Sequence, residues 1–319
     1  ADVESAESVR HGVMVAVAAE VASAYLDLRG LQNQLAVARR NADNQRETLK
    51  LTESLLQGGR GTELDTSRSR ALLNSTLAAI PLIEAGIHQD IHRISVLVGQ
   101  QPSVLKNDLI KSRPMPKLPS LVRIGNPADL LRRRPDIFAA EKQVEAATNR
   151  IGVAVADLFP SVTFSGRVGL QADTFSGLGR SGADAYSFGP SIRWAALDSG
   201  RVYSQIQAAS ARNKREVAEY EQTVLGALEE TENSLVNYGR QSARREFLRE
   251  AAEASEQAAN LANERYQNGV TDFLTVLDAQ RELLSSQSQL AESETLTATA
   301  IVAIYKALGG GWEPNGSKK

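Results

Sequence analysis

Asp278 and Arg281 stand three residues apart in "RYQNGVTDFLTVLDAQREL" (265–283), where a glycine turn separates two helical runs and the charged pair falls on an otherwise apolar helix face. At that spacing an aspartate and an arginine make an ordinary surface pair, contributing roughly 0.2–0.5 kcal/mol. Repeated around a pore, the same carboxylate would attract cations and respond to pH or divalent ions. The residue types alone leave both readings open. A second charged turn, "GGRGTELDTSRSR" (58–70), holds Asp65, Arg68 and Arg70.

Other chemistry-bearing patterns are weaker. His88 and His92 have the (i, i+4) spacing that can place two imidazoles on one metal, but "HQDIH" lacks the glutamate of the metalloprotease pattern, and a solvated helix surface explains the pair. "GLGRSG" (177–182) fits a dinucleotide fingerprint by letter, yet it lies between two strand-like runs and opens no helix. Arg132 to Arg134 precede "PDI" at a helix start, a structural motif rather than an anion site. No nucleophile, base and orienting group assemble from these motifs, so neither enzymatic activity nor a cofactor nor a metal is expected.

The chain has 319 residues, is 42% hydrophobic and carries a formal charge of -2, which suits a folded protein and gives no support to nucleic-acid binding. Cysteine is absent, which removes disulfides, thiol chemistry and Cys-based metal sites. No stretch approaches the roughly 18 apolar residues of a transmembrane helix. The sequence is rich in Ala, Gln, Glu, Ser and Leu and only 5% aromatic, which favours long helices.

Proline is missing from residues 1–80 and 191–313, so two helical arms flank a broken middle. In the second arm Val217, Tyr220, Val224, Leu228, Thr231, Leu235 and Tyr238 recur at spacings of three and four, one face of an amphipathic helix. Nothing strong interrupts 200–267, a helix of ~100 Å that needs partners along its length. "AAEASEQAANLAN" (251–263) suits close helix approach in a thin-walled coiled coil, and a solvated helix held by its propensity would read the same. Gly269 then serves as a left-handed C-cap with Thr271 or Asp272 as the next N-cap, so the chain turns back. A shift of 210 residues pairs Gln57 with Gln267, Gly59 with Gly269, Leu64 with Leu274 and Gly99 with Gly309 without a gap, an internal duplication.

Between the arms, Val162, Phe164, Val168 and Leu170 alternate with polar residues, as do Tyr186, Phe188, Ile192 and Trp194. Period-2 alternation predicts two strands joined by a loop over 173–184. A soluble sheet with one buried face would look the same. Two strands are not stable alone, however, and each is long enough to cross a bilayer at a tilt, with the apolar residues toward lipid. The expected class is mainly α with a small β part. Its expected organisation is a helical hairpin over 1–100 with its tip near 58–62, a linker over 101–126 and a helix over 127–158. A strand hairpin over 159–198, a second helical hairpin over 199–308 with its tip near 268–272, and a tail over 309–319 follow.

"VASAYLDLRGLQNQL", "LLRRRPDIFAAEKQVEAATNRIGVAVADLFPSVTFSG", "ERYQNGVTDFLTVLDAQREL" and "YKALGGGW" occur in this order. Together they resemble the outer-membrane efflux factors of the TolC and OprM type, closest to the OprM branch. The resemblance implies a homotrimer whose protomers share one barrel in outer-membrane lipid and extend helices into a periplasmic tunnel. That tunnel would be the exit duct of a tripartite pump of the Gram-negative envelope, working with a periplasmic adaptor and an inner-membrane RND-type transporter. It further implies that Leu274 and Asp278 are constriction residues, that Tyr266 and Arg281 hold the tip closed, and that Asp65, Arg68 and Arg70 form the repeat-one tip. Gly59, Arg60, Gly61 and Thr62, with Gly269, Val270 and Thr271, resemble the adaptor-docking tips. The alternative function is a periplasmic coiled-coil scaffold or adaptor without a membrane channel.

Two departures from the family pattern stand out. Pro81 lies mid-helix and is expected to kink it. Members carry a strand hairpin in each repeat, whereas here the first repeat begins within its long helix. Two strands per protomer would give a trimer six, fewer than the about eight whose interior is already filled by side chains. A working channel is therefore expected to need a preceding segment of on the order of a hundred residues, supplying a helix and a second hairpin.

Overall fold

The computed structural model describes residues 1–116, 133–175, 181 and 183–310. Helices α1 (Asp2–Gln57) and α2 (Glu63–Leu97) are followed by the short α3 (Lys106–Leu109) and by α4 (Pro135–Ala156). Strands β1 (Ser161–Leu170) and β2 (Asp184–Arg193) come next, then α5 (Ser199–Gln267) and α6 (Phe273–Ala307).

The duplication is visible in the helix ends. α2 and α6 are both 35 residues long, and each start and stop in repeat two lies 210 residues after its counterpart in repeat one. Gly59, Gly99, Gly269 and Gly309 all have positive φ, between 69° and 85°. At each, the glycine N–H reaches back to the third preceding carbonyl and the next N–H to the fifth, as in Gly59 N to Leu56 O (3.0 Å) and Gly269 N to Tyr266 O (2.9 Å). Glycine is required because an L side chain at these φ values crowds the backbone. α2 continues through Pro81, whose ring removes one N–H and leaves the Leu77 carbonyl without its helical donor.

The chain divides into two compact units. One comprises residues 1–9 and 136–225, the other 10–135 and 226–319. Within the first, the opening turns of α1 pack on α4. Ser5 Oγ donates to the Ala139 carbonyl at 3.2 Å, and Arg150 binds Asp2 at 2.7 Å. The antiparallel β1–β2 pair also lies in this unit, with Val162 opposite Ile192, Phe164 opposite Pro190, Gly166 opposite Phe188 and Val168 opposite Tyr186. Directly opposed residues project to the same side of a sheet. This register therefore gathers the large apolar side chains on one face and leaves Thr163, Ser165, Arg167, Ser187 and Ser191 on the other. Trp194, expected within the second strand, falls just past its end, where the indole N–H donates to the Leu158 carbonyl at 3.1 Å.

In the second unit, Ala24 and Leu28 of α1 form a core with Ile87, Ile91 and Ile94 of α2. Arg29 is fully buried beside it, donating to Gln32 Oε1 at 2.6 Å and to the Lys111 carbonyl at 2.9 Å, while its guanidinium lies 4.7 Å from the Tyr25 ring centroid. Gln32 in turn donates to the Leu109 carbonyl at 2.9 Å, so α1 holds the C-terminal end of α3. Arg134 is also buried; it donates to the Ala307 carbonyl at 2.7 Å and to Glu230 at 2.8 Å, placing a cation at the C-terminus of α6. The arginine run thus has a structural role at Arg134, while Arg132 lies outside the described residues. So do the "GLGRSG" segment apart from residue 181, most of the linker beyond 116, and the tail beyond 310.

The face expected along α5 shifts by one position at its centre. Ala227, Thr231 and Ser234 are buried, whereas Leu228 is exposed. Small residues let neighbouring helices approach, and the larger leucine is displaced outward. The membrane-span expectation also changes, because α1 and α2 each contain an 18-residue window apolar enough, by length and composition, to cross a bilayer. Ala and Val in α1, and Leu, Ile and Ala in α2, raise the average without forming an unbroken run of large apolar side chains. Less than a quarter of each window is buried: 17% in α1 and 22% in α2.

Candidate functional site at the paired helical tips

Each tip is built by a turn and a cap. In repeat one, the Thr62 hydroxyl caps α2 by accepting from the Asp65 N–H at 3.2 Å, and it donates to Asp65 Oδ2 at 2.7 Å. In repeat two the cap is Asp272, not Thr271. Asp272 Oδ1 accepts from the Thr275 N–H at 3.1 Å and from the Thr275 hydroxyl at 2.8 Å. Threonine and aspartate have exchanged places between the repeats, and either order satisfies the free N–H of the third helical residue. Thr271 instead donates its hydroxyl to Thr275 at 3.1 Å. Gly61 lies against the end of α1, where an added Cβ would meet the Leu56 N at 2.9 Å. Val270 projects outward and is 64% exposed.

The two turns border one cleft. Leu55, Arg60, Asp65 and Arg68 line it from repeat one, and Tyr266, Gly269, Asp272 and Leu274 from repeat two. Beneath it, Leu72, Ala262, Phe273, Val276 and Leu277 form a buried cluster flanked by Tyr266, whose ring centroid is 5.4 Å from that of Phe273. Burial, and then the Asp65 carboxylate, raise the Tyr266 pKa, so the phenol stays protonated and remains a donor. The Thr275 hydroxyl and N–H hold the Asp272 carboxyl below the ordinary aspartate range, and Arg68 adds to that effect. Arg70 does not join the cleft. It binds Glu53 of its own hairpin at 3.0 Å.

Asp278 and Arg281 do not sit on the apolar face. The buried positions of the first turns of α6 are Phe273, Val276, Leu277, Gln280 and Leu283. Leu274, Asp278 and Arg281 follow at i, i+4 and i+7 on the exposed side, with Leu274 43% exposed. Arg281 Nη1 is 3.8 Å from Asp278 Oδ1 and both side chains are more than half exposed, too far and too wet for a strong bond. The sequence misled because Leu274 and Leu277, three residues apart, straddle the boundary between the two sides. The His88 and His92 rings are 6.4 Å apart, and among the described residues no group of three or more His, Asp or Glu could hold a metal ion.

Of the strand residues, Val162, Phe164, Val168, Tyr186, Phe188 and Ile192 are 64–77% exposed on the apolar face of β1–β2. The Phe188 ring lies over Gly166, where an added Cβ would be 2.7 Å from its Cδ1. No sequence pattern signalled Arg29, Gln32 or the Gly30–Thr295 contact described below. Each depends on which helices meet.

Known proteins place this arrangement. The chain is 34% identical over 308 residues to the solvent efflux pump outer membrane protein SrpC of Pseudomonas putida, covering 96% of the chain and 65% of that relative. It therefore spans just under two thirds of the length of such curated relatives. The solved outer-membrane channel OprN superposes with a TM-score of 0.87 at 45% identity, over 97% of this chain and 69% of that one. The outer membrane protein VceC of Vibrio cholerae gives 0.84 at 29% identity, over 98% and 74%. The model of the outer membrane efflux protein family matches residues 1–100 and 126–310. With that match over most of its length, the chain belongs to the outer membrane efflux protein family.

Proposed function

We propose that this chain is part of a homotrimeric exit channel in the outer membrane. The channel would carry small molecules passively from a periplasmic adaptor and an inner-membrane RND-type transporter to the outside. The observation that carries this reading is the β1–β2 register, which collects every large apolar strand side chain on one face and leaves it exposed in the single protomer. Such a face needs a cover, and hydrocarbon on one side with a wet lumen on the other matches its two chemistries. A coiled-coil scaffold outside the membrane has no use for it. Two strands cannot close by themselves, so copies of this hairpin from neighbouring protomers would join further strands in one barrel.

The tip is the gate. Three copies of Leu274 and Asp278 around the axis form the constriction, where like carboxylates repel one another and select cations. Tyr266 and Arg281 tie neighbouring helices in the closed state, and Asp65 and Arg68 complete the cluster from repeat one; Arg70 steadies that hairpin through Glu53. The Gly59–Thr62 and Gly269–Thr271 turns are the adaptor-docking surface, short and pinned by their caps, so that little order is lost on binding.

Planar-bilayer recording of the full-length protein, purified from outer membrane in detergent, tests the reading. Discrete cation-selective conductance is expected. Intact trimers that insert into the bilayer and pass no ions would overturn it.

A further inference from the structure

α6 runs antiparallel to α1, and around Gln45 their contact is made by uncharged polar side chains. Asn41 Nδ2 donates to Gln287 Oε1 at 2.9 Å, and Gln280 Nε2 donates to Thr48 Oγ1 at 2.7 Å. This register puts Gln45, one turn from both Asn41 and Thr48, opposite Leu283. Gln45 is 2% exposed, and neither its Nε2 nor its Oε1 has a protein partner. Asn263 Oδ1 on α5 is likewise buried and unpartnered. Gln45, Asn263, Gln280 and Leu283 line a single cleft where α1, α5 and α6 meet.

The lining dictates the ligand. No Lys, Arg or His contributes to the cleft, which disfavours an anion, and Glu47 is its one acid, which disfavours a multivalent cation. Gln45 presents a donor and an acceptor, and Asn263 a further acceptor. The complement is a neutral molecule that both donates and accepts. We propose that this cleft is a built hydration site, in which ordered water bridges Gln45 to Asn263 and fixes the register of α6 against α1.

The seam is not a product of the duplication. The repeat-two counterparts of Asn41, Gln45 and Thr48 are Ala251, Ser255 and Ala258, and the repeat-one counterparts of Gln280 and Gln287 are Arg70 and Leu77. Amides therefore mark the one contact in which α1 meets α6. A shift of α6 by one turn would set Leu283 beside Asn41 or Thr48 and strand the amides against aliphatic groups, so the polar layer rejects neighbouring registers. α6 begins with Leu274, Asp278 and Arg281, so its register also sets where those side chains stand. The hydration site does not depend on the channel reading.

A crystal structure of the full-length protein, at a resolution that shows ordered water, tests the proposal directly. Water within hydrogen-bond distance of both Gln45 amide atoms and of Asn263 Oδ1 is expected. A direct Gln45–Asn263 bond with no water between them would overturn it. Gln45→Leu provides a second test. If water bridges the site, the leucine removes the bridge, leaves Asn263 Oδ1 stranded, and hydrogen exchange across 278–287 speeds up about tenfold. Unchanged or slower exchange would mean that Gln45 stood dry and unpaired, with no bridge to lose. Should the variant not fold, the structure of the unaltered protein still decides.

Discussion

Gly30 on α1 and Thr295 on α6 meet so closely that a Cβ on the glycine would lie 2.6 Å from Thr295 Cγ2 and 2.8 Å from its Cβ. Thr295 is buried, and its hydroxyl is already committed to the Ala291 carbonyl at 3.0 Å, so it cannot swing aside freely. Gly30→Ala is expected to cost about 1–3 kcal/mol through overpacking. Thr295→Ala removes Oγ1 and Cγ2, leaving Cβ as the last of the three crowding atoms, and should recover part of that loss in the double variant. Chemical denaturation of the four proteins measures the coupling; strict additivity would mean that the residues do not touch.

The exchanged caps give a second expectation. Thr62→Ala should lower stability by about 0.5–2 kcal/mol and Asp272→Ala should lower it in the same direction, whereas Thr62→Asp and Asp272→Thr should be nearly neutral. The Asp272 carboxyl titrates below the ordinary aspartate range when folded. Its contribution is therefore present above the unfolded pKa and disappears as pH falls through the lower folded one. Melting curves of wild type and Asp272→Ala should converge on strong acidification; a gap independent of pH would contradict the ionic part of the cap.

Asp90 on α2 behaves oppositely. Its Oδ2 is buried without a partner, and burial, followed by the charge of Asp27, lifts its pKa to about 6. The folded state then holds this proton more tightly than the unfolded state. Stability is highest below the ordinary aspartate range and falls as pH rises through about 6. Asp90→Asn should stabilise the protein at pH above that value by on the order of 1 kcal/mol, screened because the side chain is partly exposed, and have no effect in strong acid. Equal melting temperatures of the two proteins at neutral pH would contradict this.

For the strands, Phe164→Lys or Ile192→Lys should impair membrane assembly, since a lysine facing lipid costs up to about 2–4 kcal/mol near the midplane. Ser165→Lys and Ser191→Lys lie on the opposite face and should be tolerated. Heat-modifiable migration of the full-length protein extracted from outer membrane distinguishes the two sets, and equal assembly of all four would remove the membrane role from this hairpin.

At the tip, Asp278→Ala, or Tyr266→Phe combined with Arg281→Ser, should raise single-channel conductance by loosening the closed constriction. Asp278→Ala should also reduce cation preference, because it removes three carboxylates from one ring. Conductance and selectivity matching wild type in every variant would return Asp278 and Arg281 to the role of an exposed pair 3.8 Å apart.

The sequence by itself determined the elements and their doubling. Glycine supplies the left-handed turn at 59, 99, 269 and 309, apolar periodicity of helical spacing runs along the arms that lead into and out of those turns, and alternation over 161–170 and 184–193 makes strands. These are local properties of the backbone and of residue spacing, and they survive in any tertiary setting. Which side of α6 is buried was not legible, because Leu274 and Leu277 are equally apolar and only the position of α2 and α5 makes one of them core. The Gly30–Thr295 approach, the Arg134 contact with the end of α6 and the amide seam around Gln45 were hidden for the same reason. They join residues 173 to 265 positions apart, and a long-range contact is decided by how helices pack, which no local pattern encodes.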